Sequence, residues 1–244
     1  MTDSNTDSLV FQPPAVPRIP VTGQTTKFPV RRIFCVGRNY AEHAKEMGAD
    51  PERDPPFFFT KPADAIVVNG ADIPYPSATK NLHHEVELVI AIAQGGSDIP
   101  THSALDHVYG YAVGNDLTRR DLQAEAKKSG RPWDTAKGFD QSAPISSISP
   151  VSLCGHINMG KIYLEVNGEV RQLGDISDMI WSVAEIISAL SSLFALQPGD
   201  LIFSGTPAGV GPLEPGDRVH AVVAGLPPLA HTIKTNAAMH SLVD

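Results

Sequence analysis

The sequence predicts a mainly antiparallel α+β domain. Three observations predict it. The apolar runs are short and rich in β-branched residues, turn residues separate most of them, and only two long helical patterns stand among them. A doubly wound sheet would alternate strands with helices, and this chain does not.

Residues 1–30 read as a Pro-rich extension, with Pro13, Pro14, Pro17 and Pro20 close together and a turn at Val21-Thr22-Gly23. Residues 31–244 read as a single domain whose patterned part ends near residue 234. Its first strand is the run from Ile33 to Val36, stopped by Gly37, and a short helix from Tyr40 to Met47 follows, closed by Gly48. Further strands are expected at 66–68, 86–93, 109–114, 161–166, 201–203 and 218–223, with Asn167-Gly168 as a hairpin turn. One helix is expected over 118–128, ending before Gly130. A second should start near Ser177, carry Ile180, Ala184, Ile187, Leu190 and Phe194 on one stripe, and stop at Pro198-Gly199.

Composition bounds the partners. The 244 residues are 42% hydrophobic and 19% charged, as in ordinary globular proteins. The net charge of −8, with no Lys/Arg cluster, argues against nucleic acid and against anionic membrane surfaces. Residues 1–8 hold two aspartates and no apolar stretch, unlike a secretory signal. The longest apolar run, 179–196, contains Glu185 and four serines, so it reads as a core helix and not a membrane span. Cys35 and Cys154 make no disulfide framework and fit a reducing cytoplasm.

Chemistry-bearing residues fall in five places. Glu85-Val86-Glu87 opens an expected strand, so both carboxylates face one side. An isolated Glu-x-Glu is usually a solvent face, but the run that follows, Leu88 to Ala93, is apolar on both faces and therefore buried. Two ionised carboxylates about 6–7 Å apart repel by roughly 2–3 kcal/mol at an effective dielectric near 20, so a pocket holding both calls for a cation. Asp116, at the end of another strand, is the third candidate, with a helix N-cap as its alternative. Two glutamates and an aspartate with no cysteine beside them suit Mg²⁺, Mn²⁺ or Ca²⁺ better than Zn²⁺. His83 and His84 stand next to the pair and read as supporting or packing groups.

His43 and Glu46 share a helix face, as a general base and its orienting carboxylate would, though such pairs are often surface decoration. Lys137, among small and apolar residues, offers a charge for a carboxylate or an enolate, while most lysines are merely solvated. The segment from Gly205 to Gly211 offers backbone N–H groups and the Thr206 hydroxyl to an anionic oxygen, or is simply a turn; it lacks the Lys-Ser/Thr of a Walker A loop.

Taken together, these segments resemble the fumarylacetoacetate hydrolase family. The matching pieces are Val36-Gly37-Arg38-Asn39-Tyr40-Ala41-Glu42-His43, His84-Glu85-Val86-Glu87-Leu88, and the segment from Gly114-Asn115-Asp116 to Asp121-Leu122-Gln123. Ala136-Lys137-Gly138-Phe139-Asp140 and the segment from Phe203 to Gly211 complete the set, in family order. The resemblance implies a mixed β-roll of the fumarylacetoacetase C-terminal type over 31–244, and a homodimer. It implies Mg²⁺ or Mn²⁺ held by Glu85, Glu87 and Asp116, a water-activating dyad of His43 and Glu46 on a lid, and Lys137 in the pocket. Gln123 and Thr206 match substrate-contacting positions, and Arg38 matches a carboxylate partner.

The SH3-like domain of eukaryotic fumarylacetoacetases is absent, and Gln141 stands where they carry a threonine. This shifts the expected substrate to acylpyruvates, fumarylpyruvate above all, as in gentisate breakdown. Oxaloacetate decarboxylation and hydroxymuconate isomerisation are the alternatives within the family. A non-catalytic protein that captures oxo acids is the alternative of another class.

Overall fold

The computed structural model describes residues 9–42, 55–68 and 70–236. Its centre is an eight-stranded sheet. Phe57–Lys61, Arg32–Gly37, Asp200–Phe203, Val86–Ile92, Val108–Asn115, Ala143–Ile145 and Ile66–Val68 lie side by side in that order, and Ser149–Pro150 also pairs with Val108–Asn115. Two of these pairings are parallel, Asp200–Phe203 with Arg32–Gly37 and Ala143–Ile145 with Ile66–Val68, and the rest are antiparallel. A second sheet orders Glu169–Asp175, Lys161–Val166, Arg218–Val223, Leu229–Lys234 and Ile73–Pro74. A small sheet of Thr118–Arg119, Leu82–His84 and Gly211–Leu213 closes one end.

All seven residues of Val86–Ile92 are buried, because both faces of the strand are covered. Leu88 and Ile90 pack with Val113, Ile162, Leu164 and Ala221 between the two large sheets. Val89 and Ala91 face the other way, toward Ala112, Ile33, Cys35 and the hairpin residues Ile19 and Phe28. Each buried Val, Leu, Ile or Phe side chain among them contributes about 1.5–3 kcal/mol by leaving water. The mixed, mostly sheet-built core with few helices is the fold class expected.

Several boundaries differ from the sequence reading. Thr118–Arg119 is a strand paired with His83 and Leu82, and the helix begins only at Arg120 (Arg120–Lys128). Asp116 therefore caps no helix. The later helix is Val183–Leu193, because Ser182 and Glu185 form a reciprocal capping box that fixes its start. Ile176–Asp178 is a separate 3-10 turn. The helix buries Val183, Ile186, Ile187, Leu190 and Ser191, so Ile187 and Leu190 lie on the buried face as expected, whereas Ile180 precedes the helix, Ala184 is half-buried and Phe194 is 40% exposed. Asn167-Gly168 does turn the hairpin between Lys161–Val166 and Glu169–Asp175, with φ of 56° and 85° as a type I′ turn requires. Among the described residues, no helix is long and apolar enough to cross a membrane.

Candidate active site

Three carboxylates meet where Val86–Ile92 and Val108–Asn115 end. Asp116 N donates to Glu85 O (2.8 Å), which brings the turn after one strand against the start of the other. Asn115 strengthens this joint, its Oδ1 accepting from Glu85 N at 2.8 Å. The result gathers one carboxylate oxygen each from Glu85, Glu87 and Asp116 within 4.8 Å of one another, all three residues buried.

The surroundings are heavily charged. Lys137, last residue of the short helix Asp134–Lys137, is buried, with Nζ 2.7 Å from Glu85 Oε2 and 2.6 Å from Asp116 Oδ2. Burial opposes its charge, but Asp116 and Glu85 outweigh that and hold its pKa above the ordinary lysine value. Lys61 reaches Asp116 Oδ1 at 2.8 Å and donates to the carbonyls of Leu117 and Lys137. Arg120 pairs with Glu85 and donates to Gln123 Oε1 at 2.6 Å. Glu87 is placed differently, accepting from Gly205 N at 2.8 Å. Burial, then the charges of Asp116 and Glu85, push its carboxyl well above the usual carboxylate range despite Lys137 and that N–H. Ionising it calls for further positive charge. A buried, all-carboxylate donor set of this kind fits a hard divalent cation such as Mg²⁺ or Mn²⁺.

The histidines beside the trio have other partners. His84 Nδ1 lies 2.8 Å from Gln172 Oε1, and burial lowers its pKa. His83 Nδ1 accepts from Arg120 Nε at 3.4 Å while Nε2 lies 3.0 Å from Asn81 Oδ1. Burial and the Arg120 charge push the His83 pKa down to about 4, so the ring is neutral and its Nδ1 free to accept.

Arg38, Gln123, Thr206 and Lys137 line one pocket with the acidic trio. Thr206 Oγ1 donates to Val86 O at 2.8 Å and accepts from Gln172 Nε2 at 2.7 Å. Arg38 sits at φ 59°, a conformation uncommon outside glycine, and the next residue pins it there. Asn39 Nδ2 donates to Trp181 O and Ser204 O, while its Oδ1 accepts from Trp181 N at 2.7 Å. His43 and Glu46 lie outside the described residues. Gln141 is exposed at a turn with φ 60°.

The pocket also uses residues that the sequence alone did not single out. Lys61 and Arg120 neutralise the acids, Gln172 braces the loop, and Phe57, Phe59 and Trp133 form an aromatic wall. Gly37 makes room for that wall, since a Cβ there would lie 1.9 Å from the Phe57 ring. The one signal for Arg120 was the arginine pair Arg119-Arg120 shortly after a candidate ligand, Asp116; Gln172, on a largely exposed strand, carried none.

Comparison with known proteins finds relatives of this fold. Residues 32–234 match the fumarylacetoacetate (FAA) hydrolase C-terminal family. The fold superposes on a fumarylpyruvate hydrolase of Pseudomonas aeruginosa, solved with Mn²⁺ and pyruvate, with a TM-score of 0.92 and 52% identity, covering 94% of this chain and 100% of that one. The mitochondrial oxaloacetate tautomerase FAHD1 of Arabidopsis thaliana is 46% identical over 195 residues, 80% of this chain and 87% of that one. A mitochondrial oxaloacetate decarboxylase of Dictyostelium discoideum is 42% identical over 197 residues, covering 80% and 90%.

Proposed function

The chain belongs to the fumarylacetoacetate hydrolase family, and on that premise we propose that it hydrolyses a carbon–carbon bond in a small acylpyruvate. Fumarylpyruvate, cleaved to fumarate and pyruvate, is the favoured substrate. The observation that carries this reading is the buried trio of Glu85, Glu87 and Asp116 beside Lys137, Arg120 and Gln123, in a fold shared with a fumarylpyruvate hydrolase that holds Mn²⁺ and pyruvate.

Glu85, Glu87 and Asp116 would hold Mg²⁺ or Mn²⁺. When bound, the ion supplies Lewis-acid stabilisation of negative charge on the oxo acid. Lys61, Lys137 and Arg120 are paired with Asp116 and Glu85, so the further positive charge that ionised Glu87 calls for would come from the divalent ion. Arg120 and Gln123 offer N–H donors to the pyruvyl carboxylate. Lys137 stabilises the charge that develops on departing pyruvate as the bond breaks. His43, oriented by Glu46, takes the proton from the attacking water; this role rests on the resemblance. Thr206 and Arg38 complete the substrate contacts. We further propose a homodimer in a reducing cytoplasm, in keeping with the free thiols of Cys35 and Cys154.

A second reading is oxaloacetate chemistry, favoured by the curated relatives named for oxaloacetate tautomerase and decarboxylase. Those reactions need charge stabilised on the oxo acid but no water delivered to a distal carbonyl. Assaying the metal-loaded protein against fumarylpyruvate, other acylpyruvates, oxaloacetate and hydroxymuconates separates the readings. A higher kcat/KM for an acylpyruvate supports the hydrolase, and a preference for oxaloacetate over all of them replaces it.

A further inference from the structure

The outer wall of the pocket pairs each aromatic ring with a cation. Trp133 packs edge-on against Phe57, with centroids 5.3 Å apart, and lies 5.9 Å from Phe59. Arg38 Cζ lies 5.6 Å from the Phe57 centroid, Lys127 Nζ 5.2 Å from that of Trp133, and Lys137 Nζ 5.0 Å from that of Phe59. Lys137 also reaches inward to Glu85 and Asp116. Arg38 and Lys127 form no ion pair with a carboxylate of the described residues, though both line the pocket that holds the trio. They stand at its mouth: Arg38 is exposed, and Lys127, Trp133 and Phe59 are half-buried, whereas the trio is buried.

Lys127 is poorly placed for an ordinary surface lysine. Burial, then the charges of Arg120 and Arg38, pull its ammonium pKa down to about 8. A half-dry cation facing two other cations, seated on a ring and without an ion-paired carboxylate among the described residues, gains a partner when an anion enters. The acidic centre takes the oxo-acid end of the substrate, so the anion that reaches the mouth belongs to the opposite end.

We propose that Lys127, seated on Trp133 with Arg38 beside it, binds a second carboxylate at the acyl end of the substrate and so selects dianionic over monoanionic acylpyruvates. The statement that the substrate is an acylpyruvate rests on the hydrolase reading above; the preference for a distal carboxylate does not.

The test uses two matched comparisons in the parent, Lys127→Met and Lys127→Arg, each loaded with Mn²⁺. The first is calorimetric binding of 2-oxoadipate against 2-oxohexanoate, which share chain length and differ in the terminal carboxylate. The parent should prefer 2-oxoadipate by about tenfold or more, as one charge-assisted hydrogen bond provides. Lys127→Met should lose most of that preference and Lys127→Arg should keep it. The second is the ratio of kcat/KM for fumarylpyruvate over acetylpyruvate, which should fall by a similar factor in Lys127→Met.

An unchanged binding preference in Lys127→Met, or none in the parent, overturns the role of Lys127. If the parent cleaves neither acylpyruvate while the binding preference behaves as stated, the hydrolase reading falls and Lys127 keeps its role. A variant that binds neither acid but melts like the parent points to a general loss of the pocket and also overturns the proposal.

Discussion

Gly205 N donates a hydrogen bond of 2.8 Å to Glu87 Oε2, so a backbone amide of the glycine-rich loop aims one of the three clustered carboxylates. The loop can come this close because Gly205 has φ 97°, and because a Cβ there would lie 2.7 Å from Asn39 Cβ. Gly205→Ala should therefore displace Glu87 and Asn39 together. We expect Mn²⁺ affinity to fall by about 10–100-fold, as when other groups that orient ligands are lost. Calorimetric titration checks this; parent-like affinity would mean that the amide does not position Glu87.

Gln172 braces the same loop from the second sheet. Its Oε1 accepts from Val86 N at 3.0 Å, and its Nε2 donates to Thr206 Oγ1 at 2.7 Å and Pro207 O at 2.9 Å. Gln172→Leu strands these buried groups at about 1–3 kcal/mol each. Urea unfolding should show that loss, and KM should rise because Thr206 loses its bracing. An equally stable variant with parent kinetics would contradict it.

Part of this site was legible in the sequence and part was not, for a physical reason. The buried strand after Glu87 showed itself because Leu88 to Ile92 is apolar on both faces, and Asn167-Gly168 declared its turn through residues that tolerate positive φ. Glu85, Glu87 and Asp116 were found because strand alternation and strand ends are local properties. Lys61 meets Asp116 only because Phe57–Lys61 pairs along the edge of the main sheet, a long-range register that no local pattern encodes. Thr118–Arg119 was mistaken for helix because its pairing with Leu82–His84 overrides the helical preference of the residues that follow.

His231 provides a pH test just behind the acidic centre, to which Asn115 links it. It is buried, and its Nε2 accepts from Asn115 Nδ2 at 3.0 Å, because Asn115 Oδ1 is taken by Glu85 N. Burial pushes its pKa down to about 4. Between that value and the unfolded value near 6.5, the unfolded chain binds a proton that the folded chain does not, so stability falls as pH drops through this window. The contribution is about 3 kcal/mol at most. Denaturant unfolding at pH 7.5 and 4.5 should show a smaller pH-dependent loss in His231→Gln than in the parent; equal losses would assign the effect to other groups.

The proposed dyad predicts a chemical defect with binding intact. Glu46→Gln should lower acylpyruvate hydrolysis by about 10²–10⁴-fold with little change in affinity for pyruvate. Any oxaloacetate decarboxylation should suffer less, since it needs no activated water. Equal losses on both substrates would assign the pair to substrate positioning.

The most direct test of the account is the rate of pyruvate release from fumarylpyruvate by protein stripped of metal and then reloaded. With Glu85, Glu87 and Asp116 as the ligand set, chelation should bring the rate to background, Mg²⁺ or Mn²⁺ should restore it, and Glu87→Ala should not recover at the metal concentration that restores the parent. Full turnover by protein that elemental analysis shows to be metal-free would contradict the account.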